Sequence, residues 1–130
     1  MALTQVAFEM TSGVEQFDAD TLKADTADVL TAGFATTPYD FGTLTTGTLT
    51  PDEANGGMQY GVNGGAHTLA PPTNNTTIIL QYTNNASAGA ITTSGFTKVT
   101  GAFTTTNADD FLCYITKING FSDLHIRALQ

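Results

Sequence analysis

The chain has 130 residues, enough for one ordinary domain with a real core but not for two. Twenty-five threonines and 13 glycines stand beside three lysines, three glutamates and one arginine. That balance favours strands and turns over helices, because Thr is stiff at χ1 and packs well on a pleated surface. The formal net charge of −8 argues against a nucleic-acid or anionic-membrane binder, which would need clustered Lys and Arg.

The charge is unevenly placed. Residues 1–53 hold nine of the twelve acids and one base, Lys23, whereas residues 54–130 are neutral on balance. Residues 1–40 read as an extended N-terminal arm. Leu3–Phe8 alternates as a short strand would, and Gly13–Ala32 mixes acids with small residues and lacks a helical apolar spacing. Phe8, Glu9, Glu15, Phe17, Asp18, Asp20, Asp25 and Asp28 are its candidate partner-binding residues, suited to a basic protein surface. The start of the chain lacks the basic and apolar regions of a signal peptide, and no apolar stretch reaches the ~18 residues of a membrane span. A soluble protein made in a reducing cytoplasm is expected.

Residues 41–130 read as a β-domain. Phe41-Gly42, Thr46-Gly47, Asn55-Gly56-Gly57 and Asn63-Gly64-Gly65 are turn signals. Met58–Val62 and His67–Ala70 are short strands, the second stopped by Pro71-Pro72. Thr77–Thr83 is a strong strand, Gly89–Thr93 and Phe96–Val99 are shorter ones, and Ala102–Thr105 is weaker. The chain ends in Phe111–Ile118, Asn119-Gly120 and Phe121–Leu129. Asn-Gly between two β-type runs is the preferred type I′ hairpin turn. A two-residue loop puts Phe111, Cys113, Ile115, Leu124, Ile126 and Ala128 on one apolar face. The other face carries Leu112, Tyr114, Thr116, Ile118, Phe121, Asp123, His125 and Arg127. That second face is mixed in the manner of a wet protein interface, and Leu112, Tyr114, Ile118, Phe121, His125 and Arg127 are its candidate subunit-contact residues. The turn cadence predicts an all-β fold, an antiparallel β-sandwich or small jelly-roll-like barrel.

Chemistry is sparse. His67 and His125 have no Cys or carboxylate at metal-ligand spacing, and each reads as a surface or interface imidazole on a strand. Cys113 sits in an apolar run, where a thiol is inert, and reads as a small core residue. Asp18, Asp20, Asp25 and Asp28 do not follow a calcium-loop pattern, and Asp109-Asp110 reads as a loop. No phosphate-binding glycine motif is present. Tyr39, Tyr60 and Tyr82 could stack on sugar, but structural aromatics are commoner. No enzyme, cofactor or metal is expected.

Three stretches resemble small virion proteins of tailed bacteriophages: Asp40–Thr43 with Gly47–Asp52, Asn63–Pro72, and Thr83–Thr92 with Gly95–Thr97. The opening Met1–Val6 is similar to the starts of phage fibre and decoration proteins. The resemblance implies a β-sandwich, often a homotrimer, attached to a head or tail. The expected function is a capsid decoration (cement) protein that binds and stabilises the lattice of the major capsid protein or another virion protein. A tail or head fibre protein binding a host receptor or glycan is the alternative, and a small glycan-acting enzyme is a distant third. The expected location is the virion, assembled in the host bacterial cytoplasm.

Overall fold

A computed structural model of the chain describes residue 33 and residues 35–130. Thr36–Gln130 form the second of the two units into which the chain divides. The second unit carries nine strands: β1 (Tyr39–Leu44), β2 (Thr48–Leu49), β3 (Met58–Asn63), β4 (His67–Leu69), β5 (Thr76–Asn84), β6 (Ile91–Thr93), β7 (Lys98–Thr100), β8 (Asp110–Ile118) and β9 (Phe121–Ala128). A single 3-10 turn, Glu53–Asn55, is the one helical element among the described residues. The fold is all-β.

The strands do not pair in the antiparallel order expected of a sandwich or jelly roll. β1, β3 and β5 lie side by side and parallel, and so do β2, β4 and β6 in a second sheet. The chain therefore winds through both sheets once per coil, as a β-solenoid of three coils. The first two coils are offset by about 20 residues, since Tyr39 pairs with Gln59 and Thr48 with Thr68. The Gly-rich punctuation at Thr46-Gly47 and Asn63-Gly64-Gly65 makes corners between sheets, not hairpin turns.

Residues in register stack inside the coils as columns. Phe41 and Gly42 together oppose Gly61, which in turn pairs with Tyr82. The Phe41 ring meets Tyr82 edge-on at 5.2 Å, passing over Gly61, where a Cβ would lie 2.2 Å from it. A second column runs Leu44, Asn63, Asn84. The amide of Asn63 donates to the Asn84 Oδ1 and to the Gly89 carbonyl, each at 2.9 Å, and its Oδ1 accepts from the Gly89 N–H at 3.2 Å. Asn84 donates to the carbonyls of Thr104 and Thr106, both at 2.9 Å. These buried amides satisfy corner backbone groups that no strand can reach, each of which would cost about 1–3 kcal/mol if left unpaired. The corners touch: a Cβ on Gly89 would stand 2.1 Å from the Ala66 nitrogen.

Beyond β5 the chain reverses. β8 pairs antiparallel with β5, β9 antiparallel with β8, and β7 runs parallel to β9, giving the large sheet the order β1-β3-β5-β8-β9-β7. The β8–β9 hairpin forms in the expected register through eight pairs from Phe111–Ala128 to Ile118–Phe121. Asn119 (φ 49°) and Gly120 (φ 82°) supply the two positive φ values of a type I′ turn. Ala102–Thr105, expected as a weak strand, is irregular. Its Thr104 carbonyl faces the Asn84 amide instead of a neighbouring strand, and Phe103 packs on Tyr82 at 5.7 Å and Phe111 at 5.3 Å.

The core lies between the sheets: Leu69, Ile78, Leu80, Tyr82, Phe111, Cys113, Ile115, Leu124 and Ile126 are buried, with Phe41, Leu49, Phe96 and Phe103 against them. Each fully buried aliphatic or aromatic side chain is worth about 1.5–3 kcal/mol. The exposed edge of β1 is roughened by a bulge at Phe41-Gly42, where the Asp40 Oδ1 accepts the Gly42 N–H at 2.8 Å. Such a break discourages strand addition.

Candidate interaction face

The large sheet buries one face and presents the other. Because the registers of five strands interlock, the outward residues form straight rows. One row runs Asp40, Tyr60, Gln81, Leu112, Arg127 across β1, β3, β5, β8 and β9. The next runs Met58, Ile79, Tyr114, His125, Thr100, ending on β7. Flanking them are Thr77, Thr116, Asp123 and Lys98 on one side, and Thr43, Val62, Thr83 and Asp110 on the other.

Much of this face is apolar and open. Met58 is 49% exposed, Tyr60 40%, Tyr114 36%, and at the hairpin tip Ile118 and Phe121 exceed 60%. Pro38, Met58, Tyr60, Ile79, Gln81 and Leu112, with the flank of Gln59, line a shallow hollow of about 230 Å³. Its polar floor is fixed: Gln81 donates to the Thr83 Oγ1 at 2.9 Å, and Thr83 donates to the Asp110 Oδ1 at 2.5 Å. Tyr114 and His125 lie with ring centroids 6.3 Å apart. Charge sits at the margins, with Asp40 at one end and Arg127 at the other.

Of the residues singled out in the sequence, Leu112, Tyr114, Ile118, Phe121, His125 and Arg127 all fall on this face. The arm positions Phe8, Glu9, Glu15, Phe17, Asp18, Asp20, Asp25 and Asp28 lie outside the described residues. Met58, Tyr60, Ile79 and Gln81 were not among the expected contact residues, and only the pairing of β3 and β5 with β8 brings them there. The signal that locates them is an internal repeat. Thr48-Leu49-Thr50-Pro51 and Thr68-Leu69-Ala70-Pro71 stand 20 residues apart and pair in register.

The remaining candidates are structural. His67, expected at a surface or interface, is buried. Its Nδ1 lies 2.8 Å from the Gly65 carbonyl and its ring 5.7 Å from that of Tyr82. Tyr82 is buried as well, and desolvation, followed by the nearby Cys113, pushes its hydroxyl well above the ordinary range. Cys113 is buried, and burial pushes its thiol up to about 12. Asp109 accepts a hydrogen bond from Thr104 in the loop before β8. A second hollow, of about 280 Å³, is lined by Thr50, Pro51, Asp52, Glu53, Thr73 and Asn74. Both of its carboxylates are engaged, Asp52 by the Ala54 N–H and Glu53 by the Asn74 amide. No group of three or more His, Cys, Asp or Glu at metal-binding distance occurs among the described residues. No helix among them is long and apolar enough to cross a membrane.

No family model matches the chain, and no curated protein or solved structure is significantly similar to it.

Proposed function

We propose that this chain is a structural protein of a tailed-bacteriophage particle that works through protein–protein contact, in the first instance as a head decoration protein. The observation that carries the reading is the outer face of the large sheet. Tyr60, Tyr114, Met58, Ile79 and Leu112 form one apolar field with polar and charged margins, the composition of a protein interface. The virion assignment rests on the sequence resemblance. The three stretches that carry it, within Asp40–Asp52, Asn63–Pro72 and Thr83–Thr97, pass the same corner of three successive coils, so the similarity follows the repeat. The acidic excess of residues 1–53 suits a basic protein surface on the particle.

The fibre reading is favoured by one specific observation: parallel coils stack along an axis, which is how elongated projections grow. Labelling of purified particles with gold-tagged antibody separates the two. Decoration predicts label over the head, and heads stripped of the protein that lose resistance to heat or chelator. Label at the tail, or soluble protein that blocks adsorption to host cells, overturns decoration in favour of a fibre. Absence from purified particles rejects both.

A further inference from the structure

The outer face of the large sheet is self-complementary, and we infer that it binds a second copy of this chain face to face, about a twofold axis running along β5. The inference rests on reading this face as a protein interface and is independent of the virion assignment.

The argument is the order of residues across the sheet. A twofold axis midway between two facing sheets and parallel to their strands reverses each row and leaves its height unchanged. The row Asp40, Tyr60, Gln81, Leu112, Arg127 is centred on β5. Reversed onto itself, it sets Asp40 against Arg127 of the second copy, Tyr60 against Leu112, and Gln81 against Gln81. The next row sets Met58 against Tyr114 and Ile79 against Ile79. Each of these pairs is compatible: acid to base, aromatic or thioether to apolar bulk, amide to amide; in the flanking row Thr83 meets Thr83, and Val62 meets Asp110 at the margin. A three-fold arrangement, as in the expected trimer, cannot reverse the rows in this way, because closed three-fold contacts join two different patches.

The hollow between Pro38, Met58, Tyr60, Ile79 and Gln81 receives an occupant under the same operation. The Tyr114 ring of the second copy comes down over Met58 and fills it. Each copy supplies one ring and one hollow. A tyrosine anchored in an apolar recess and rimmed by charge is the usual form of a binding hot spot. Sheets packed face to face with strands nearly aligned are a standard geometry. Strand spacing makes the face roughly 25 Å by 20 Å. About 500 Å² per copy, or ~1,000 Å² in all, is the lower end of specific interfaces, the size of weak, reversible associations.

The test uses the whole chain in analytical ultracentrifugation across the micromolar range. A monomer–dimer equilibrium is expected. Arg127→Asp sets Asp40 against a second acid, and Asp40→Lys sets Arg127 against a second base; each alone should weaken the dimer about tenfold or more. Mixing the two variants should restore association, because both crossed pairs then regain opposite charge. Asp40 also caps Gly42, so a second measurement guards against a folding defect. Ile79→Cys, on the axis, should be joined to its counterpart by a short bis-maleimide that spans the ~10 Å between facing sheets, whereas Thr100→Cys, at the β7 edge, should not. A monomer at several hundred micromolar overturns the proposal. So does a trimer, a mixture that stays monomeric, or cross-linking at Thr100 in preference to Ile79.

Discussion

The coil stack and the terminal hairpin solve the same problem, holding strands in register, by opposite means. In the hairpin the register is local. Asn119-Gly120 turns the chain, and each residue meets a partner at most 17 positions away. In the coils the register is set at a distance of about 20 residues by interior columns: Phe41 over Gly61 onto Tyr82, and Asn63 onto Asn84. A hairpin can form from its own turn chemistry, whereas a coil forms only when its neighbours are already in place. The difference predicts where each region breaks.

The largest effects come from charging the shared core. Ile126→Asp in the hairpin and Leu80→Asp in β5 each bury a carboxylate where no partner stands, at a cost comparable to the whole stability of a small domain. Circular dichroism should show both unfolded. A folded Ile126→Asp protein would mean that the faces of the hairpin are assigned wrongly.

Asn84→Ala attacks the coils alone. It orphans the carbonyls of Thr104 and Thr106 and one bond of Asn63. Chemical denaturation should register a loss of about 3 kcal/mol, and amide exchange should speed up first at the corners of the coils. Equal acceleration throughout β8–β9 would deny that the two regions are held differently.

The seam between the regions, where Tyr82 of β5 meets Phe111 and Cys113 of β8, has its own signature in alkali. Burial raises the Cys113 thiol from 9.0 to about 12 in the folded chain. Below pH 9 both states keep the proton and the stability is whole. Between pH 9 and 12 the unfolded chain releases it and the folded chain does not. Stability therefore falls by about 1.4 kcal/mol for each pH unit. Tyr82 is raised by the same cause and adds to the loss above its own ordinary range. Cys113→Ala should reduce the slope; an unchanged alkaline profile would show that the thiol is not desolvated.

Gly120→Ala and His125→Ala are the smallest. The first places a Cβ at φ 82° in open space, at about 1–2 kcal/mol, and should lower the melting temperature without shifting the hairpin pairs seen by NMR. The second removes an exposed ring and should stay within ~0.5 kcal/mol.

The same contrast decides what the sequence discloses. The hairpin is legible because Asn119-Gly120 and the alternation from Phe111 to Ala128 lie in one window. Strand positions in β3, β4 and β5 are legible too, but their partners are not. Period-two alternation shows which side chains share a face and says nothing of whether the next strand runs parallel. Glycine pairs at corners imitate hairpin turns, and so an antiparallel sandwich is the natural expectation. Only the spacing of Thr48-Leu49 and Thr68-Leu69 points to coils. His67 misleads for a related reason: on a short strand it reads as a surface or interface imidazole, yet it is buried, with its Nδ1 2.8 Å from the Gly65 carbonyl. Half of the outer face was visible in the hairpin, and the other half, Met58, Tyr60, Ile79 and Gln81, became visible only with the parallel register.

That register is tested most directly by paired cysteines on the small sheet. Thr48→Cys with Thr68→Cys places two thiols on adjacent parallel strands in register, within the reach of a disulfide. Thr48→Cys with Thr92→Cys places them two strands apart, ~10 Å and out of reach. The coil stack predicts that the first pair oxidises within the folded monomer and the second does not. A folded protein in which the 48–68 pair stays reduced, or the 48–92 pair closes instead, would contradict it.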